Sequence, residues 1–226
     1  MKSVISSFNI QTFISSVLNQ SYKGIKSLKA LAFFTIFMVC ENSNAYKPKP
    51  GKVTTAAGPF VYVSDSLSNN GDVYTSPKLG FALISEAVVA KNSAIEIGLF
   101  YLNKPYFRSE GSEYILQKIQ RMYITTGYRW WWSSKLSSGV NLFSAFSMGD
   151  VETLKTSPGI REEFKTSAEE ITNYGLDLSI RYEHEFNPRD GIFIDLRYSY
   201  SLTAESGEQS NPIILGIFYS RDIDAG

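Results

Sequence analysis

Apolar and polar residues alternate strictly between positions 173 and 203, and this alternation is the strongest pattern in the chain. Over Tyr174–Phe186 the even positions carry apolar or aromatic side chains and one histidine, whereas the odd positions carry glycine, serine and charged residues. The alternation resumes over Ile192–Leu202, after the segment Asn187–Gly191. Because successive side chains of a β-strand point to opposite faces, the pattern predicts two strands, and the Asn-Pro-Arg-Asp-Gly segment predicts the turn between them. The stretch is therefore predicted to be a β-hairpin with one apolar and one charged face.

Two features of this hairpin favour a membrane barrel over a half-exposed sheet of a soluble protein. The strands of about 12 residues exceed the 5–6 or so that are usual in globular proteins, and about 9–11 tilted residues suffice to cross a bilayer. The apolar face also ends in aromatic residues, with Tyr174 and Phe186 on one strand and Tyr198 and Tyr200 on the other. Aromatic girdles occupy these positions at the boundaries between lipid and water.

The same alternation, applied to the whole chain, predicts eight strands. They are Pro59–Ser64, Lys78–Ala90, Ala94–Lys104, Glu113–Trp131, Leu136–Met148, the two strands of the hairpin, and Asn211–Arg221. The register of the first strand stays open, because either Phe60 and Tyr62 or Val61 and Val63 could face outward.

Short and long connections alternate around the chain. The long polar segments are Asp65–Pro77, Pro105–Ser112, Gly149–Thr172 and Ala204–Ser210, and the other connections are short turns. Transmembrane barrels have this alternation, because their periplasmic turns are short and their extracellular loops are long. Since hydrocarbon offers no hydrogen-bond partner, the sheet has to close. We therefore predict an all-β fold, an eight-stranded antiparallel up-and-down transmembrane β-barrel over residues 59–221, with a tail at 222–226.

The first 45 residues have the layout of a secretory signal peptide with an extended basic region. Three lysines precede the apolar run Ala30–Cys40, and Ser43 and Ala45 provide small residues at a cleavage site. A transmembrane anchor is the alternative, but the apolar run is shorter than the roughly 20 residues that a helix needs to span. Lipid modification at Cys40 is a second alternative, although Val39 stands where lipoprotein signals have a small residue. Residues 46–58 are predicted to form a periplasmic leader.

Removal of the signal peptide changes the charge balance. It takes away four of the 22 basic residues and one of the 22 acidic residues, which leaves 18 against 21, a net charge of about −3. No basic surplus remains for binding nucleic acid. The single cysteine, Cys40, is lost as well, so thiol chemistry is not expected in the remaining chain. No cofactor is predicted.

The charged face of the strands is expected to line the lumen, because a Lys or Arg facing lipid costs about 2–4 kcal/mol at the bilayer midplane. Such a lining has two interpretations, the selectivity filter of a pore or an internal network of salt bridges. We favour the network, because eight strands leave an interior just wide enough for side chains. The residues concerned are Glu86, Glu96, Arg121, Arg129, Asp177, Arg181, Glu183, Glu185, Asp195 and Arg197.

Aromatic residues at the strand ends are expected to form the interfacial girdle, because indole and phenol rings favour the headgroup level. These residues are Tyr128, Trp130, Trp132, Tyr182, Tyr198 and Tyr200. A carbohydrate-binding platform at the Trp130–Trp132 run is the alternative.

Three strand segments resemble those of the small outer-membrane β-barrel proteins of the OmpA/OmpX kind. The segments are Leu79–Leu83, Ala94–Tyr101 and Tyr123–Arg129, and the resemblance extends over Pro59–Arg221. It implies a bacterial outer-membrane location, insertion by the barrel-assembly machinery, contact with outer-membrane lipid and lipopolysaccharide, and a monomeric state. The chain departs from the family pattern at its last strand, because Ser220–Gly226 follow the aromatic residues with which such barrels usually end.

No catalytic residue or metal ligand is predicted. The segment around the only histidine, His184, faintly resembles the His-x-Ser-Asn motif of outer-membrane lipid A deacylases, but Phe186 stands where that chemistry requires the serine nucleophile. The chain has neither a phosphate-binding Gly-Lys-Ser/Thr loop nor paired histidine ligands. The sequence therefore predicts a protein that is not an enzyme.

The longest loop is acidic, and it is predicted either to be simply solvated or to contact a surface partner or divalent ions shared with lipopolysaccharide. Its acidic residues are Asp150, Glu152, Glu162, Glu163, Glu169 and Glu170. Two functions remain open for the barrel, a structural or surface-interaction protein with a plugged lumen and a transport protein for small or apolar solutes. A soluble periplasmic ligand-binding barrel is a third possibility.

Overall fold

The computed structural model describes residues 50–64, 66–67, 73–74, 77–110, 112–158, 171–203 and 211–223. The predicted signal peptide, the first residues of the predicted leader and the last three residues of the tail lie outside these ranges. Within them, no helix is long and apolar enough to cross a bilayer. The strands are β1 (Val53–Val63), β2 (Ser66–Leu67), β3 (Val73–Tyr74), β4 (Lys78–Ala90), β5 (Ser93–Glu110), β6 (Glu113–Trp131), β7 (Leu136–Ser147), β8 (Glu152–Thr156), β9 (Asn173–Glu185), β10 (Asp190–Ser201) and β11 (Ile213–Ile223).

Eight of these strands form a closed barrel. The order around the wall is β5-β4-β1-β11-β10-β9-β7-β6, and a further pairing between β5 and β6 closes the sheet. Every pairing is antiparallel, and each barrel strand pairs with the barrel strands before and after it in the chain. The first and last strands meet with Val53 opposite Ile223. The structure thus confirms the predicted eight-stranded antiparallel up-and-down barrel.

The first strand begins earlier than the sequence predicts. β1 starts at Val53 rather than Pro59, so the predicted leader, 46–58, ends within the barrel wall. Threonine, alanine and glycine give Val53–Gly58 little contrast between apolar and polar positions, and pairing with both β4 and β11 makes this segment a strand. The structure also fixes the open register, because Phe60 and Tyr62 are buried in the lumen and Val61 is exposed.

The outward face of the barrel is an exposed apolar surface. In β9, Tyr174, Leu176, Leu178 and Ile180 are all exposed, and the residues between them are buried. A soluble monomer rarely exposes large contiguous apolar patches, whereas a lipid-facing wall consists of one. The apolar positions of the alternating sequence therefore face outward from the barrel, and the positions between them face the lumen.

The β5–β6 hairpin extends beyond the barrel at the end where the long segments lie. β4 pairs with β5 only as far as Tyr101, and β7 pairs with β6 only as far as Arg121, whereas β5 and β6 pair with each other up to Glu110. The segment Pro105–Ser112, which the sequence predicts as a loop, is mostly strand because the long β6 gives it a partner. β8 adds a third strand beside β6, and Tyr106 and Ile119 form a small apolar cluster there.

At Gly127 the backbone of β7 lies close to β6. A Cβ atom there would lie 2.2 Å from the carbonyl oxygen of Val140 and 2.4 Å from Cα of Asn141. Because both are backbone atoms, Gly127→Ala is expected to cost about 1–3 kcal/mol of unfolding free energy, as overpacking typically does. Urea unfolding in detergent micelles measures the change. Gly149→Ala is the control, because no atom lies within 4 Å of its Cβ position, and an equal loss in both variants would contradict the prediction.

Candidate functional site

The barrel register brings charged residues of neighbouring strands together inside the lumen. Glu86 of β4 lies directly opposite Glu96 of β5, and Arg181 of β9 lies opposite Asp195 of β10. We call the resulting group the ionic cluster, and all of its members are buried. Its residues are Glu86, Glu96, Arg129, Asp177, Arg181, Glu183, Asp195 and Arg197.

Arg129 links the two facing glutamates of β4 and β5. Its Nε donates to Glu96 Oε2 at 2.6 Å and lies 3.2 Å from Glu86 Oε1. The other two guanidinium nitrogens donate to hydroxyl groups, Nη1 to Ser137 Oγ at 3.0 Å and Nη2 to Ser179 Oγ at 2.7 Å. Two carboxylates directly opposite each other would repel, and the cation between them offsets this repulsion.

Arg181 makes a second bridge between the same two glutamates. Its Nη1 donates to Glu86 Oε1, and its Nη2 donates to Glu96 Oε2 at 3.0 Å. Longer contacts join Nη1 to Glu183 Oε1 at 3.5 Å and Nη2 to Asp195 Oδ2 at 3.9 Å. The guanidinium also lies 3.8 Å from the ring centroid of Phe193, a distance that suits a cation–π contact.

Arg197 binds three carboxylates. Its nitrogens lie 2.5 Å from Glu96 Oε1, 2.6 Å from Asp195 Oδ2 and 2.8 Å from Asp177 Oδ1. Asp177 also accepts hydrogen bonds from Asn141 and Ser199. Glu96 therefore contacts all three arginines of the ionic cluster and is its centre.

The ionic cluster is a fixed filling rather than a set of solvated charges. Desolvating an ion costs several kcal/mol, and the cost is recovered only where partners and hydrogen bonds have good geometry. An intact buried ion pair therefore adds little to the free energy of unfolding. Removing one of its partners lowers that free energy strongly, because the other charge stays buried without compensation.

Arg121 and Glu185 share the predicted lumenal phase but do not occupy the same place as the ionic cluster. Arg121 lies near the long-segment end, where it donates to Tyr106 Oη at 3.0 Å and to the carbonyl oxygens of Ala145 at 2.7 Å and Ile171 at 2.8 Å. It thereby ties Ile171, two residues before the start of β9, to the barrel. Glu185 ends β9 at the short-turn rim and is half-buried.

Aromatic side chains are also buried in the lumen, and none of them is among the predicted site residues. Phe60 of β1 packs against Tyr62 and Phe100, and Phe193 stacks on Phe218 of β11 with ring centroids 5.0 Å apart. These rings belong to a buried apolar cluster that draws on seven of the eight barrel strands and adjoins the ionic cluster, because the guanidinium of Arg197 lies 4.7 Å from the ring centroid of Phe100. The signal was present in the sequence, because Phe100 and Phe193 occupy the phase assigned to the lumen.

A cavity of about 20 Å³ lies at the short-turn end of the lumen. Its walls include Glu86, Arg181 and Glu183 of the ionic cluster, together with Thr54 and Ser220. A space of this size holds about one water molecule. The cavity therefore provides room for about one water molecule at the edge of the ionic cluster.

Trp131 is buried in the lumen near the short-turn end. It packs with Val88 and Ala94, and its Nε1 donates to Glu183 Oε2 at 3.3 Å. Its neighbours Trp130 and Trp132 are exposed on the outer face, as are Tyr128 and Tyr200 of the predicted girdle. Tyr182 and Tyr198 also lie on the outer face and are half-buried.

Four of the six predicted interaction-loop acids, Glu162, Glu163, Glu169 and Glu170, lie outside the described residues. Asp150 and Glu152 are exposed, and Glu152 forms an ion pair with Lys118 of β6 at 2.6 Å. In the ranges that the structure describes, no group of three or more His, Cys, Asp or Glu side chains is arranged to hold a metal ion.

Comparison with solved structures relates the chain to small outer-membrane barrels. The outer membrane protein OprG from Pseudomonas aeruginosa matches with a TM-score of 0.52 and 10% identity, over 81% of this chain and all of OprG. Ail, the attachment invasion locus protein of Yersinia pestis, matches with a TM-score of 0.44 and 12% identity over 76% of this chain and 99% of its own. Neisserial surface protein A gives 0.41 and 10%, over 76% and 97%. No protein-family model and no curated protein sequence matches.

The fold is thus that of the small eight-stranded outer-membrane β-barrels, as the resemblance of the strand segments implied. At these low identities the likeness establishes the fold alone.

Proposed function

We propose that this protein is an integral, non-enzymatic protein of the bacterial outer membrane that has a side-chain-plugged lumen and acts through the surface at its long-segment end. The observation that carries the proposal is the filling of the lumen. The ionic cluster and the buried apolar cluster occupy it, and the cavity beside the ionic cluster measures about 20 Å³. A barrel filled in this way is a rigid support for what its loops present.

The membrane location is supported by the outer wall. Exposed apolar strands and outward-facing tryptophan and tyrosine at their ends suit hydrocarbon and headgroups. The predicted signal peptide would direct the chain across the inner membrane, and the barrel-assembly machinery would then insert it. Because the eight strands of the barrel wall close on themselves and leave no free edge within the wall, we propose that the protein works as a monomer in contact with lipid and lipopolysaccharide.

The hairpin extension is the proposed interaction surface. β5, β6 and β8 stand together beyond the barrel, with the Lys118–Glu152 ion pair between β6 and β8. β8 contains a register shift that leaves Leu154 without a position opposite it on β6. Bulges of this kind at sheet edges change the direction of side chains and end strand pairing. β8 is therefore suited to present side chains to a partner rather than to pair with a further strand.

Conductance across a planar lipid bilayer tests the plugged lumen. We expect no discrete conductance steps from the purified barrel, because ions would have to displace buried, paired side chains. The matched variant is Glu96→Ala with Arg129→Ala, which removes a buried ion pair from the centre of the lumen together with its volume. This variant should conduct and thereby show that silence in the unmodified protein is not a failure of insertion. Discrete open steps in the unmodified protein would refute the proposal.

Transport of small or apolar solutes is the second candidate, and a hollow at the long-segment end favours it. The hollow measures about 520 Å³ and is lined by Val61, Pro77, Lys78, Leu79, Asn103 and Lys118. Val61 and Leu79 belong to the exposed apolar face, so the hollow connects that face to the base of the extension. Entry of apolar solutes into liposomes that contain the barrel would support this function, and entry that equals that of empty liposomes would exclude it.

A further inference from the structure

The ionic cluster contains more acidic than basic groups. Five carboxyl groups, from Glu86, Glu96, Asp177, Glu183 and Asp195, face three guanidinium groups, from Arg129, Arg181 and Arg197. With every carboxyl ionised, the formal charge of the ionic cluster would be −2. Uncompensated buried charge is expensive, and a protein normally avoids it by protonating the group.

The contacts of the cluster show where the excess lies. Glu86, Glu96, Asp177 and Asp195 each have an arginine nitrogen within 2.8 Å. Glu183 has weaker contacts, 3.5 Å to Arg181 Nη1, 3.5 Å to Ser137 Oγ and 3.3 Å to Trp131 Nε1. Glu86 Oε1 contacts the same Nη1 atom of Arg181, so one nitrogen serves both glutamates.

Glu86 and Glu183 are also the two carboxyl groups of the cluster that line the water-sized cavity. That cavity reaches the short-turn mouth, where other ionisable side chains lie: His184, Glu185, Arg189, Asp190 and Asp222. A proton can therefore exchange between the solvent and these two glutamates without crossing the rest of the lumen.

We propose that Glu86 and Glu183 form a proton-binding site, which holds one solvent-derived proton in the folded barrel at neutral pH. The charged neighbours of the site are Glu96 from β5, Arg129 from β6, Asp177 and Arg181 from β9, and Asp195 and Arg197 from β10. The inward residues of β7 at this level, Ser137 and Asn141, are neutral.

The bound proton makes stability depend on pH in a defined direction. Exposed glutamates ionise near pH 4, so the unfolded chain does not hold this proton at neutral pH. Unfolding then releases a proton, and stability falls as pH rises. For one proton, the unfolding equilibrium constant increases by up to tenfold for each pH unit.

Infrared spectroscopy of the full chain, refolded in detergent micelles at neutral pH, tests the site. The unmodified protein is expected to show the carbonyl stretch of a protonated carboxyl group, and the double variant Glu86→Gln with Glu183→Gln is expected to lack it. The double variant should fold, because three carboxylates then face three arginines. Its unfolding constant should also lose the rise with pH. Glu185→Gln is the control, and it should keep both the band and the rise.

Two results would overturn the proposal. The first is the absence of a protonated carboxyl band from the unmodified protein. The second is a band that persists unchanged in the double variant, because the proton would then reside elsewhere. A double variant that fails to fold would also count against the proposal, since the charge balance argues that it is at least as stable in alkaline solution.

Discussion

Replacing Arg197 by methionine is expected to lower the free energy of unfolding by about 3–5 kcal/mol, the usual cost of removing one partner from a buried ion pair. Its guanidinium lies within 2.8 Å of an oxygen of each of three buried carboxylates, those of Glu96, Asp177 and Asp195. Methionine fills part of the space but supplies no charge. Urea unfolding in detergent micelles, followed by tryptophan fluorescence, measures the loss.

The control for this prediction is Arg221→Met. The Arg221 side chain is 64% exposed and lies 3.8 Å from Asp190, a distance at which an exposed pair contributes little. We expect its substitution to change stability by no more than about 0.5 kcal/mol. Adding Asp177→Asn to the Arg197 variant should recover part of the loss, because one uncompensated charge disappears. If Arg197→Met is as stable as the unmodified protein, the ionic cluster does not hold the barrel together.

The strands of the barrel wall are predictable from the sequence, because lipid-facing and lumen-facing side chains alternate along each of them. A lipid-facing strand has to alternate, so β4, β6 and the β9–β10 hairpin were located to within a few residues. β1 was placed too late because Val53–Gly58 carry small residues on both faces. Only the pairing of β1 with β4 and β11, which joins residues far apart in the chain, reveals that this segment is a strand.

The sequence predicts which side chains face the lumen, but it does not predict at what level along the barrel axis each of them lies. Alternation assigns both Arg121 and Arg129 of β6 to the lumen. The two arginines are eight residues apart, however, which corresponds to about 26 Å along the strand. Which carboxylates each one meets depends on the stagger between strands, and a single strand does not contain that information. Arg129 therefore joins the ionic cluster, whereas Arg121 binds backbone carbonyl groups near the long segments. The excess of two carboxyl groups in the cluster likewise becomes visible only once the register is known.

Leu178→Arg is expected to cost about 2–4 kcal/mol when the barrel is folded in a lipid bilayer. Leu178 lies midway along β9 on the outer face, and 44% of it is exposed. In water, a substitution at an exposed position changes stability by only about 0.5 kcal/mol or less. A large loss at an exposed leucine therefore identifies the surrounding medium as hydrocarbon. Unfolding of the protein from lipid vesicles by urea measures the cost.

Leu154→Arg is the matched control, because it changes the same residue type at nearly the same exposure, 42%. Leu154 lies on β8, which pairs only with the extension of β6 and stands outside the barrel wall. We expect the control substitution to leave the free energy of unfolding nearly unchanged. The difference between the two variants then reports whether Leu178 faces hydrocarbon, because both variants introduce the same arginine. Equal and small effects would mean that the apolar wall faces water or another protein surface, and the outer-membrane proposal would then fail together with the interpretation of the girdle.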